Sequence, residues 1–294
     1  MELGGILSAH ADDVALLLGN GIHRHGGMKA WQTFLIELAC QNGLTEKAVP
    51  KGTSAIEFFD VVDLHARARS GDLAASFCRE MESWTIGPHH RRVMEWAVRH
   101  NVPVLTTNFD EVLSKAVSAK LMRPNVAGFT AWYPWDSRFA YMLHDDPCAG
   151  FGVWHVNGMA RYKRSVRLGL THYIGSAHRA RDWLHRGGSR LFEAKDTQSW
   201  RGRRTWMHLI FNKPLLVIGL GLREDEVFLR WLLIERQRYF AKFPLRRKPA
   251  WYVFTHDPTD ETQDGRRFFL EGIGIECIRA DSHAAIYDLA AWDN

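Results

Sequence analysis

Val102-Pro-Val-Leu-Thr-Thr-Asn-Phe-Asp110 is the stretch on which the reading of this chain turns. Its first four residues form a short apolar run with no polar alternation, which suits a parallel strand covered on both faces. The run stops in a polar cluster, Thr106, Thr107, Asn108 and Asp110, just as a helix begins. In open α/β sheets ligands bind outside the carboxyl ends of the strands, so an amide and a carboxylate at this point suit a site. Asn and Asp are also ordinary helix caps, and both uses stay open on this stretch alone.

Other apolar runs of strand length lie on either side: Val14–Leu18, Gly152–Val156, Leu215–Ile218, Trp251–Phe254 and Ile273–Ile278. Helical patterns alternate with them. Met28–Gln41 repeats apolar residues at Trp31, Phe34, Leu35 and Leu38, and Glu224–Phe240 does so at Val227, Phe228, Trp231, Leu232 and Ile234. Strand–helix alternation predicts an α/β fold, a Rossmann-like doubly wound and mostly parallel sheet. The stretch 53–100 reads as wholly helical, over Ser54–Arg69, Leu73–Trp84 and Pro88–His100, and is expected to be a helical insertion over the sheet edge. Residues 121–150 read as loop-rich, and 186–203 as polar and rich in Gly and Arg. The expected organisation is one domain over 1–294.

The bulk numbers bound the function. The chain has 294 residues, 46% hydrophobic, with a formal net charge of +5. A mildly basic protein favours anionic partners such as nucleotides. The clusters Arg201-Gly-Arg-Arg204 and Arg246-Arg-Lys248 read as solvated loop charge, and nucleic acid is not expected as a direct ligand. Cys40, Cys78, Cys148 and Cys277 form no C-x-x-C pair, so a thiolate zinc site is not expected and reduced thiols in the cytoplasm are. No leader peptide and no run of about 18 apolar residues is found, so no membrane partner is expected. His89-His90, His144-Asp145-Asp146 and Thr171-His-Tyr173 offer ligand atoms without metal-site spacing. Neither a P-loop nor a G-x-S-x-G elbow is present.

Three segments besides 102–110 could carry chemistry. Leu18-Gly-Asn-Gly-Ile-His23 ends the first strand with two glycines that let a backbone turn tightly against a diphosphate, or that simply make the turn. Arg24 stands where a dehydrogenase fingerprint needs its third glycine. Trp154-His-Val-Asn-Gly158 puts His155 at the same sheet edge as Asn108, where an imidazole can take a proton near neutral pH. Val217-Ile-Gly-Leu-Gly-Leu-Arg-Glu-Asp225 again follows a strand with two glycines, while Glu224 and Asp225 suit a helix first turn.

Taken in order, Gly19-Asn-Gly21, Thr106-Thr-Asn-Phe-Asp110, His155-Val-Asn-Gly158 and Gly219-Leu-Gly221 resemble the sirtuin-like (silent information regulator type) domain. The resemblance is to its divergent prokaryotic branch of NAD-consuming antiphage defence effectors. It covers about Leu16 to at least Arg230, and Thr-Thr-Asn-x-Asp is its most specific element. It implies NAD, as substrate, bound across the carboxyl edge of the sheet. Gly19, Asn20 and Gly21 would lie at the pyrophosphate, with Thr107, Gly219 and Gly221 completing the cofactor-binding set. In the implied catalytic set, Asn108 would hold the nicotinamide ribose and a water, Asp110 would orient its loop and could touch the nicotinamide end, and His155 would be the general base. The family's Gly-Ala-Gly-Ile-Ser opening has become Gly19-Asn-Gly-Ile-His23, and its four zinc cysteines are missing. Protein deacylation is thereby put in doubt and NAD cleavage is not. The expected activity is an NAD glycohydrolase yielding nicotinamide and ADP-ribose. The resemblance also implies regulation through a homo-oligomer or a separate activator such as a HerA-type ATPase. The alternatives are a module that senses NAD or ADP-ribose, and an NAD-dependent deacylase or ADP-ribosyltransferase.

Overall fold

The computed structural model describes residues 2–29, 31–124, 134–257 and 260–294. Eight strands form one sheet: β1 (Ala15–Leu18), β2 (Pro103–Thr106), β3 (Lys120–Met122), β4 (Arg138–Ala140), β5 (Gly152–His155), β6 (Leu215–Ile218), β7 (Ala250–Thr255) and β8 (Glu276–Ala280). Their order is β3-β4-β5-β2-β1-β6-β7-β8. The six from β5 to β8 run parallel, and β4 and β3 are added antiparallel at one edge. The chain moves outward from β1 to β2 and β5, then returns to the other side of β1 with β6. The expected Rossmann-like, doubly wound, mostly parallel architecture is therefore what the chain adopts, with its switch point between β1 and β6.

Register brings the strand ends level. Leu18 pairs with Thr106 and with Ile218, and Thr106 pairs with His155. The segments that follow these four strands are thus neighbours in space.

The helices are α1 (Leu3–Ala9), α2 (Gly21–His25), α3 (Trp31–Gln41), α4 (Ala55–Ala68), α5 (Leu73–Glu82), α6 (Pro88–Arg99), α7 (Val112–Ala116), α8 (Leu170–His185), α9 (Trp206–Asn212), α10 (Val227–Lys242), α11 (Gln263–Gly272) and α12 (His283–Tyr287). Successive strand side chains point to opposite faces, so each strand feeds two cores. Ala15, Leu17, Leu105, Trp154, Leu215 and Val217 join the layer of α8, α9 and α10. Leu16, Leu18, Val104, Val153, Leu216 and Ile218 join that of α1, α6 and α12.

A third cluster covers the sheet's carboxyl edge. Phe34, Leu35 and Leu38 of α3, Phe58, Phe59 and Val62 of α4, and Phe77 and Met81 of α5 pack with Phe109 and Leu168. Ser54 starts α4 with a capping box: its hydroxyl accepts from Glu57 N at 3.3 Å, and Ser54 N donates to Glu57 Oε2 at 2.8 Å. The helical stretch 53–100 thus divides between two partners, with α4 and α5 over the edge and α6 packed on the sheet face.

Two expectations need correction. The loop-rich stretch 121–150 contributes β3 in part and β4, although 125–133 lie outside the described residues, as does Ala30 in the Met28–Gln41 pattern. The last strand starts at Glu276, because Ile273 caps α11 and Gly274 turns the chain at φ +77°. Helix α8 went unread, although Tyr173, Ser176, Ala180, Trp183 and Leu184 form its buried stripe. Among the described residues no helix is long and apolar enough to cross a membrane.

Candidate functional site

The four expected segments meet at the β1–β6 switch point. Thr106 Oγ1 donates to Leu18 O at 3.0 Å and accepts from Asn108 N at 3.1 Å, which ties the end of β2 to the end of β1. Asn108 Nδ2 donates to Gly19 O at 3.3 Å. His155 Nδ1 lies 2.7 Å from Asn108 O. A carbonyl oxygen only accepts, so Nδ1 carries the proton and Nε2 of the neutral ring keeps its lone pair. That Nε2 is buried with no hydrogen-bond partner among the described residues. Burial pulls the His155 pKa down, against the raising effects of the Asn108 carbonyl and Asp110. The ring is neutral at pH 7 and able to accept a proton.

Asp110 is held from two sides. Its Oδ1 accepts from Val112 N at 2.9 Å at the entry to α7, and its Oδ2 lies 3.0 Å from His23 Nε2. The His23 contact is close but out of line for a well-formed hydrogen bond. His23 Nδ1 in turn lies 3.0 Å from His90 Nε2, and His90 Nδ1 accepts from Gly87 N at 2.9 Å. A neutral His90 that accepts from Gly87 N at Nδ1 carries its proton on Nε2, which faces His23 Nδ1, while His23 Nε2 faces Asp110 Oδ2. Burial would raise the Asp110 carboxyl; His23, the Val112 N–H and His155 outweigh it and hold the pKa below 3.8. Burial, then the neighbouring His23 and His89, push His90 down to about 3. Sequence reading took His23 only as a changed loop residue and His90 as a stray ligand. No local pattern links residues 67 positions apart.

The glycines are also required by the fold. Gly19 N donates to Ile218 O at 3.0 Å, and Gly21 N donates to Gly219 O at 2.7 Å. A Cβ on Gly19 would stand 2.4 Å from Gly219 O, and one on Gly21 would stand 2.5 Å from Gly219 Cα. Both are glycine because the loop after β6 crosses directly over them, and both amides serve that crossing. Gly219 adopts φ +67°, and its Cβ would meet Tyr287 Oη at 2.3 Å. A Cβ on Gly221 would meet only Arg223 Cγ, at an ordinary 3.7 Å.

Beside this crossing is a cavity of about 460 Å³. Of the expected residues, Asn20, Gly21, Thr107, Gly219 and Gly221 line it, whereas Gly19, Asn108, Asp110 and His155 do not. Trp31, Ile56, Tyr252, Gln263 and Arg266 also line it. Trp31 also stacks on Phe109, with ring centroids 6.0 Å apart. Glu226, unnoticed in the sequence, lines the same cavity. Its Oε2 is buried without a partner, and burial beside Asp225 raises its pKa to about 7. It occupies the N-cap of α10 but caps nothing with its side chain.

Elsewhere, one ligand atom each from Asp146, Cys148 and His208 lie within 4.8 Å of one another. The sequence flagged only Asp146 of these. Trp200 Nε1 donates to His208 Nδ1 at 3.0 Å. Indole only donates, so the neutral His208 carries its proton on Nε2, the nitrogen that faces Asp146 at 3.6 Å. A metal-bound imidazole needs the opposite second-sphere polarity, and burial raises the Cys148 thiol to about 12. This group reads as a hydrogen-bonded cluster.

No protein-family model matches this chain, and no curated protein matches it.

Proposed function

We propose that this protein is an NAD glycohydrolase, cleaving NAD to nicotinamide and ADP-ribose. The observation that carries the reading is the His155–Asn108 pair: a buried neutral imidazole whose free Nε2 sits at the carboxyl edge of β5, its tautomer fixed by Asn108 O. In NAD the nicotinamide is already cationic and leaves neutral, so the bond needs little acid help. The ribose becomes oxocarbenium-like, as in glycoside cleavage. A neutral amide can orient the ribose and a water without trapping that cation. A neutral imidazole can accept the water's proton, typically worth about 10²–10⁴-fold. Asp110, engaged by Val112 and His23, acts as a positioning residue for this loop.

On this reading Asn108→Ala and His155→Ala each remove most NAD cleavage while the fold remains. The assay is loss of NAD and appearance of nicotinamide by chromatography at neutral pH, over a range of protein concentrations. Normal turnover by a folded variant removes that residue from the mechanism. A rise steeper than linear with concentration supports control by self-assembly, and stimulation by a co-purified ATPase supports a separate activator. Membership of the sirtuin-like family, a role in antiphage defence and a cytoplasmic location belong to the same proposal.

One observation favours a second reading, a module that binds NAD or ADP-ribose without turnover. Asn108 and His155 do not line the cavity, so in this conformation the base and the open space are separate. Nucleotide that binds and is recovered unchanged, with and without a partner, supports that reading.

A further inference from the structure

The glycine turn poses a problem for any phosphorylated ligand. Both glycine amides of that turn are already used within the fold: Gly19 N on Ile218 O and Gly21 N on Gly219 O. Charge must come from elsewhere, and the cavity wall supplies it. Of its arginines, Arg266 is bound to Asp260 at 2.8 Å. Arg24 and Arg223 also line the cavity, and neither guanidinium has an ion-pair or hydrogen-bond partner among the described residues.

Both are mounted on braced backbone. Arg24 N donates to Asn20 O at 3.1 Å, on the turn that β6 crosses. Arg223 follows Leu222, a fully buried residue at φ +44°. A branched residue in the left-handed region costs roughly 1 kcal/mol or more, and survives only where its surroundings enforce it. Here they do. Leu220 O accepts from Tyr252 Oη at 2.9 Å, Leu222 O from Arg230 Nη1 at 3.0 Å and Arg223 O from Glu226 N at 3.0 Å. Leu222 turns inward and Arg223 stands on the cavity wall.

We propose that Arg24 and Arg223 together bind the phosphates of a nucleoside diphosphate-type ligand in this cavity, in place of the Gly19 and Gly21 amides. The identity of the ligand rests on the dinucleotide reading above; the anion-binding role of the two arginines does not. The acids that share the wall are Asp225, Glu226, Asp257 and Asp260. Asp260 is neutralised by Arg266, and burial keeps Glu226 protonated up to about 7.

The test is calorimetric titration of the full chain with ADP-ribose, which cannot lose nicotinamide, and in parallel with inorganic pyrophosphate and adenosine. Arg24→Ala and Arg223→Ala are each expected to weaken ADP-ribose and pyrophosphate about tenfold, as loss of a charge-assisted bond does, and adenosine not at all. The double variant should lose about a hundredfold, and Arg→Lys variants should recover part. Both side chains are exposed, so the fold should persist, checked by unchanged urea midpoints. Unaltered affinity of both anions in the double variant overturns the proposal, as does wild-type protein that binds neither. Pyrophosphate bound through the arginines, with ADP-ribose ignored, sinks the dinucleotide reading and leaves the anion site standing. ADP-ribose bound through them, with NAD recovered intact, sinks only the hydrolase.

Discussion

Glu226→Gln isolates one buried charge. The Glu226 carboxyl moves from its ordinary 4.5 to about 7, because burial first, and Asp225 second, oppose ionisation. A raised folded-state pKa means that the native protein holds the proton more tightly than the unfolded chain. The stabilisation from this group is complete below 4.5 and is lost as the pH climbs through about 7. Integrated between pH 5 and pH 8, that linkage amounts to about 2.5 kcal/mol, an upper figure because water can relax around the ionised group. Glutamine keeps the shape and has no proton to lose. The assay is urea unfolding of both proteins at half-unit intervals from pH 5 to 8. The stability of Glu226→Gln minus that of the wild type should climb steadily with pH and flatten above about pH 7.5. Other titrating groups are common to both proteins and cancel in the difference. Parallel stability curves across the range would refute the claim that this carboxyl is held neutral by burial.

Gly21→Ala forces a Cβ to 2.5 Å from Gly219 Cα, a backbone atom that cannot swing aside. Its cost should reach about 2 kcal/mol or more by chemical denaturation. Gly221→Ala, with Arg223 Cγ the nearest atom at 3.7 Å, should stay within about 0.5 kcal/mol; equal effects would mean that the loop crossing does not set the glycine requirement. His23→Ala leaves the Asp110 carboxylate buried without its partner and should cost about 3 kcal/mol at pH 7. The Asp110 pKa is depressed in the folded protein, so its stabilisation is present above 3.8 and fades as pH falls through the folded value. The His23→Ala penalty should therefore shrink below about pH 4, and a penalty constant from pH 7 to 3 would show that lost packing, not lost pairing, is its source.

How much of the fold could be read depended on how completely each strand is buried. β1, β2, β5 and β6 are covered on both faces. Such a strand has no polar alternation to blur it, and each was legible to within a residue or two. β3 and β4 have three residues each, too few for any period, and β4 carries the buried Arg138. An arginine reads as loop until its partner is visible: here the guanidinium donates to His144 O at 2.6 Å and lies 5.1 Å over Trp154. β8 was misplaced because Ile273 and Ile275 look like strand, whereas they close α11 through bonds to Phe269 O and Leu270 O.

The site divides along a similar line. Residues that follow a strand end, Asn108, His155 and the glycines, were legible because a parallel sheet brings its carboxyl ends together. What each of them does there was not, since it depends on a partner distant in the chain. The amide of Gly21 is given to Gly219, about two hundred positions later, a bond that no local pattern announces. Asp110 is legible as a polar residue of this loop, but its contacts to His23 and to Val112 N appear only in the fold. Glu226 carries no sequence signal beside Glu224 and Asp225, and only its buried, unpartnered Oε2 sets it apart from them. Strand ends tell where chemistry gathers. The number of bonds that each polar atom has left after folding tells which residues are free to do it, and by that count His155 Nε2, Arg24 and Arg223 are the groups to mutate.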